Sequence, residues 1–246
     1  MSKQIVFSIS IFILFFSFVG LTYSQSDQEI ISNFIQKQKQ IADRSKVKTL
    51  YQEMKATIMG MEMPSKIWIK GDNMRYETSF MGQTTTVVLT PNGGWQIQNG
   101  SVTDIPKEQI SEAKKQLINQ SLAEGFNFFN EDFSEQNTNF EIVGREKIDG
   151  VNCYRMKITP KDTTEGESEG YFWFEPFTYL LRKVSFKQKQ MGQEQNFDIY
   201  IKEYQQVAGM TFLKSVKMNL GQGQELQMEY VTIKVNEPVD DSLFKK

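Results

Sequence analysis

Few residues in this chain have the type and spacing that chemistry needs. Gly166-Glu167-Ser168-Glu169-Gly170 matches the G-x-S-x-G pattern of a serine nucleophile elbow. That motif works at a strand-to-helix turn. Here it sits in an acidic loop followed by the strand-like GYFWFE, so it is a chance match. A Ser triad or an activated Cys also needs a histidine as base, and the chain has none. The absence of histidine removes the common zinc ligand sets as well. Asp162, Glu165, Glu167 and Glu169 share that loop, but their spacing is not that of a Ca²⁺-binding loop, and a solvated turn is the better reading. No carboxylate pair is singled out for glycoside hydrolysis. No phosphate-binding glycine loop occurs. Cys153 is the only cysteine; within the strand VNCYRMKI it reads as a small buried hydrophobe, not a reactive thiol. The residue types therefore speak for a non-enzyme, with no cofactor and no metal.

What the chain does carry is apolar material. Its net charge is −2, with Lys and Arg scattered, which argues against a nucleic-acid partner. Met54, Met59, Met61, Met63, Met74 and Met81 cluster early, and Phe126, Phe128, Phe129 and Phe133 fall within FNFFNEDF. Methionine adapts to irregular partners such as acyl chains. Four neighbouring phenylalanines are too many to leave in water. Together with the apolar helix stripes described below, these residues exceed what a thin two-layer domain needs for its core.

The elements that position them follow from periodicity. Lys3, the apolar run Ile5 to Val19, and Thr22 and Ser24 before Gln25 form a secretory signal peptide, expected to be cleaved before Gln25. The run is short for a membrane span of about 20 residues, although an uncleaved anchor is the alternative. Gln25 stands where a lipoprotein would need Cys, so no lipid anchor is expected. Ser26 and Glu29 form a capping box. Ile30, Ile31, Phe34, Ile35 and Ile41 then recur at helical spacing, which predicts an amphipathic helix over 27–44. From Thr49 the period becomes two. Strands are predicted at 49–61, 66–70, 74–80, 84–90 and 95–98, with turns at GDN, MGQ and PNGG. A second helix is predicted from Pro106 to Gly125, with Ile110, Ala113, Leu117 and Ile118 on one face. Strands return at 140–147, 151–159, 170–175, 180–189, 196–204, 211–220 and 225–235.

The predicted fold class is α+β and mainly antiparallel β: a strongly curved, unclosed barrel of about 10–11 strands, with helices covering its concave face. Strand alternation selects Ile67, Ile69, Met74, Tyr76, Val87, Leu89, Trp95 and Ile97 as the apolar wall, with Phe126 and Phe129 from the covering segment. A one-residue slip would invert any strand of this set.

Several segments, in this order, resemble the LolA/LolB-like lipoprotein-carrier superfamily, which sorts outer-membrane lipoproteins. They are KIWIKGDNMRYE, VVLTPNGGWQI, DGVNCYRMKITP, YFWFEPFTYLLRKVSF and the closing VDDSLFKK. The likeness runs over most of residues 45–246. It implies one carrier domain over 25–246 after a signal peptide at 1–24, and a periplasmic location. It implies a hydrophobic cavity that shields the acyl chains of a lipid or acylated lipoprotein. Membrane-protein donors and acceptors in the envelope, and a monomeric state, are also implied. One position departs from the pattern. Family carriers have an Arg just after a Trp-Val-Lys stretch, where WIKG places Gly71; Arg75 is the candidate substitute as a lid contact. A non-catalytic envelope module that binds a protein partner is the alternative function.

Overall fold

The first helix begins as its cap dictates. In the computed structural model, which describes residues 25–121, 137–161, 170–190, 193–220 and 223–246, the Ser26 hydroxyl accepts from the Glu29 amide (3.2 Å) and starts α1, Asp27–Ala42. The predicted signal peptide, residues 1–24, lies outside the described residues. Ile30, Ile31, Phe34 and Ile35 are buried as the spacing requires. Gln38, on the same stripe, is buried too, and its amide donates to the Tyr179 carbonyl (2.7 Å).

Thirteen strands follow in one antiparallel sheet. They are β1 Thr49–Ile58, β2 Met61–Lys70, β3 Asn73–Phe80, β4 Gln83–Thr90, β5 Gly93–Gln98, β6 Ser101–Ile105, β7 Thr138–Ile148, β8 Val151–Pro160, β9 Gly170–Phe174, β10 Leu181–Gln190, β11 Gln193–Val207, β12 Met210–Asn219 and β13 Glu225–Val235. Their order is β6-β5-β4-β3-β2-β1-β13-β12-β11-β10-β9-β8-β7, so β6 and β7 are free edges and the curved sheet does not close. α2, Ile110–Ser121, lies between β6 and β7 in the chain and is entered through a short 3-10 turn.

The twelve strands placed one by one in the sequence all occur, and the thirteenth is β6, a short exposed edge strand of mostly polar residues. One boundary also moves: the stretch read as one strand to Met61 ends at Met59-Gly60, both at positive φ (51° and 77°), which is the backbone of a tight hairpin turn, and residues 61–65 join β2. Methionine rarely adopts that conformation, so it gives no turn signal.

The sheet has an inner, concave face and an outer one, and its strands have two ends. α1 leads into the start of β1. It covers the inner face at that end of β7–β13, where Phe34 is fully buried and stacks on Phe174 at 4.2 Å. α2 covers the same end of β2–β4. On the outer face, the C-terminal 3-10 turn Asp241–Phe244 seats Phe244 on Val88 and Trp95.

Candidate functional site

Beneath α2 the inner face is apolar. Ile67, Met74 and Leu89 are buried, with Ile69, Tyr76 and Val87 half-buried beside them. The register places them together: Ile69 faces Met74, Ile67 faces Tyr76, Met74 faces Leu89 and Tyr76 faces Val87. Ile110, Ala113 and Leu117 of α2 rest on this patch, each only half-buried.

Trp95 and Ile97 do not belong to it. Trp95 pairs with Val88, and Ile97 with Thr86, so both face outward and pack with Trp68, Val239, Leu243 and Phe244. The cause is a close approach. Gly94 holds the inner position opposite Leu89, and a Cβ there would lie 2.6 Å from the Val88 carbonyl oxygen and 3.1 Å from Ile110 Cδ1. The inner position beside the β4 backbone, with Leu89 and Ile110 above it, has room only for glycine, and that fixes the parity of β5. Phe126 and Phe129, expected in the covering segment, lie outside the described residues.

Among the described residues Arg75 is likewise no contact of a helical lid. Its guanidinium bonds the Glu77 carboxylate (2.5 Å) and the Leu243 carbonyl (3.0 Å) on the outer face, where it buttresses the C-terminal turn. Odd positions of β3 point outward, as the pairing of Arg75 with Trp68 and Val88 requires. Gly71 occupies a turn at φ 56°.

The sequence reading missed the other end of the inner face. Where β1 ends and β2 begins, Ile58, Met61 and Met63 face inward, joined by Phe80 of β3, Leu226 of β13 and Met218 of β12. Phe186 and Phe197 extend the row across β10 and β11, stacked at 5.5 Å. Met61 (36 %) and Phe80 (38 %) are exposed and the others half-buried, with no helix over them among the described residues. The signal was present in the alternation of these strands. Their identity as one strip depends on cross-strand register, which a single sequence does not reveal. Between strip and helices lies a small polar belt: the Tyr76 hydroxyl bonds Ser65 Oγ (3.2 Å), and Ser65 Oγ bonds Thr78 Oγ1 (2.9 Å).

The titratable groups are tuned by the fold. Burial raises the Tyr204 and Tyr230 phenols above their ordinary range, and the Tyr204 hydroxyl donates to the Leu181 carbonyl (3.0 Å). Cys153 is fully buried on the outer face against Ile148 and Trp173, and burial pushes its thiol up to about 11. The Tyr51 hydroxyl, then Thr232, hold the Glu53 carboxyl below its ordinary value. Among the described residues, no group of three or more Cys, Asp or Glu could hold a metal ion. The arrangement offers burial of apolar material.

A family model described only as "uncharacterized protein" matches residues 109–246. No curated protein matches by sequence. Among solved structures, a DUF1329 family protein from Desulfovibrio piger superposes with a TM-score of 0.51 at 14% identity, covering 88% of this chain and 97% of that one. A putative outer membrane lipoprotein-sorting protein domain from Vibrio parahaemolyticus gives 0.50 at 15% identity, covering 86% and 94%. A LolA superfamily protein from Nitrosomonas europaea gives 0.48 at 14%, covering 87% and 97%. The chain belongs to the family whose model spans 109–246, and its fold is similar to that of the DUF1329 family protein and of the putative outer membrane lipoprotein-sorting domain.

Proposed function

We propose that the protein is a periplasmic carrier that shields the acyl chains of a lipid or acylated lipoprotein on the inner face of its sheet. It acts as a monomer between donor and acceptor proteins of the envelope membranes. The observation that carries this reading is the row of inward-facing Ile58, Met61, Met63, Phe80, Met218 and Leu226 beyond the reach of either helix. A row that large and greasy is costly to leave in water unless something covers it. Acyl chains gain roughly 0.8 kcal/mol for each buried CH₂ and need no directional partner. The polar belt at Ser65, Tyr76 and Thr78 gives such a chain a place to present an ester or amide. Methionines on two strands of the row supply the adaptable surface that chains of varied length require.

The test is organic extraction of the natively purified protein with mass spectrometry, and titration of the delipidated protein with a fluorescent fatty acid. A stoichiometric lipid, together with loss of fatty-acid binding in Met63→Asp at unchanged fold, supports the carrier. A clean extract and no binding by the wild type would sink it.

A further inference from the structure

At the β7 margin of the inner face, across the sheet from the strip at Met61, a groove of about 890 Å³ opens between the first turn of α1, the middle of β7 and the turn after β9. Its floor includes Ile142 and Gly144 of β7, and Phe177 stands at its rim, 92 % exposed. Among the described strands β7 pairs with β8 alone, so around Val143 one row of its backbone N–H and C=O groups has no strand partner there. A bulge between Ile142 and Gly144 opens that edge, and the space a Cβ would take at Gly144 is empty. Val143 beside it is 41 % exposed. Natural edge strands of this length are normally blunted or covered.

The charges in the groove are unbalanced. Asp27 and Glu29 face it from α1 and form no ion pair among the described residues. Arg145, on the opposite wall, is committed to Tyr154: its guanidinium lies 4.2 Å from the ring centroid and donates to the hydroxyl at 2.7 Å. The helix dipole accounts for acids in a first turn. It does not account for an exposed phenylalanine beside an unpaired strand edge.

We propose that this groove receives an extended peptide of a partner protein, added as a further strand to the free edge of β7. Unmatched backbone groups recognise another main chain. Ile142 and Phe177 take an apolar side chain of the peptide, and Asp27 and Glu29 take a basic one. Asp27 and Glu29 outnumber Arg145 in the lining, so the net charge of the groove disfavours a phosphate or an acyl carboxylate.

The test is to pan a display library of random twelve-residue peptides on the immobilised full chain, then measure amide hydrogen exchange with an enriched peptide bound. The expected peptides combine β-branched or aromatic residues with Lys or Arg, and slow exchange at the free edge of β7 around Val143 at least about tenfold. Asp27→Lys with Glu29→Lys, and separately Phe177→Ser, weaken binding about tenfold or more at unchanged circular dichroism. The proposal is overturned by failure to enrich any peptide, by neutral or acidic consensus peptides, by protection elsewhere, or by wild-type affinity in both variants. Protection of β7 that rises with protein concentration alone would assign the edge to a second copy of the chain instead.

Discussion

If acyl chains spread along the inner face, they must compete with α2 for the patch formed by Ile67, Met74 and Leu89. α2 is held there by Ile110, Ala113 and Leu117, all half-buried. The side-chain hydrogen bond on its described part runs within the helix, Gln116 to Glu112 at 3.2 Å. Half-burial of an Ile and a Leu, with a smaller share from Ala, holds the helix by about 2–3 kcal/mol. An acyl chain that buries ten methylenes gains about 8 kcal/mol before its own ordering costs. The chain therefore wins, and α2 yields. Replacing Ile110 and Leu117 together by Ser removes about 2 kcal/mol of docking. The melting temperature should fall by roughly 4–8 °C, as expected for a domain of this size. Affinity for a fluorescent fatty acid should rise by about thirtyfold, because the competent state is no longer suppressed by those roughly 2 kcal/mol. The assay is fluorescence titration of wild type and double variant, with calorimetry alongside. A tenfold loss of affinity would show that α2 forms part of the binding wall. Unchanged affinity would confine the chain to the strip at Met61 and Leu226. Either result refutes the competition.

Phe34→Ala should cost about 3–5 kcal/mol in urea unfolding, because a fully buried ring stacked on Phe174 leaves a cavity; a loss below 1 kcal/mol (about a third of the lower bound) would mean that α1 is not clamped there. Glu53 titrates below its ordinary value when folded, so its hydrogen bonds stabilise above the unfolded carboxyl's pKa and are lost as pH falls through the folded one. Glu53→Gln should flatten the acid limb of stability against pH, and an unchanged limb would assign that limb to other carboxylates. The Cys153 thiol, pushed up to about 11 and fully buried, should react with a thiol reagent at pH 8 about two orders of magnitude more slowly than free cysteine, and at the normal rate in denaturant; fast labelling of the folded protein would contradict its burial.

Local chemistry was readable in the sequence, and long-range geometry was not. Ser26 and Glu29 announced α1, and the stripe Ile30, Ile31, Phe34 and Ile35 announced the face it buries. Gln38, polar by type, was not assigned to the core. It belongs there only because the Tyr179 carbonyl waits across 141 positions of chain. Alternation put Ile67, Ile69, Met74, Tyr76, Val87 and Leu89 on one face, and they share it. It failed at Trp95 and Ile97, because two successive glycines leave the parity of β5 to the space beside β4, where only Gly94 fits. Arg75 was misread because the partner that holds it, the Leu243 carbonyl, comes from a turn at the far end of the chain.

Among the described residues the two helices are held very unequally, as the proposed carrier role requires. α1 is fixed by the stacked Phe34, by Gln38 on the Tyr179 carbonyl, by Asn33 on the Tyr179 hydroxyl at 3.2 Å, and at its end by Arg44, whose guanidinium lies 4.2 Å from the Phe212 ring centroid. Among the described residues α2 has only a light apolar contact, through Ile110, Ala113 and Leu117. A sheet that lost its inner cover on β2–β4 would still need support, and the outer face supplies it. Phe244 packs on Val88 and Trp95, Arg75 holds the Leu243 carbonyl, and Lys70 pairs with Asp241 at 2.5 Å. The strands beneath α2 are therefore braced from behind by the C-terminal turn. In the proposed carrier, α2 leaves and returns without unfolding the wall it covers, and cargo exchange would cost the weak docking of its described residues.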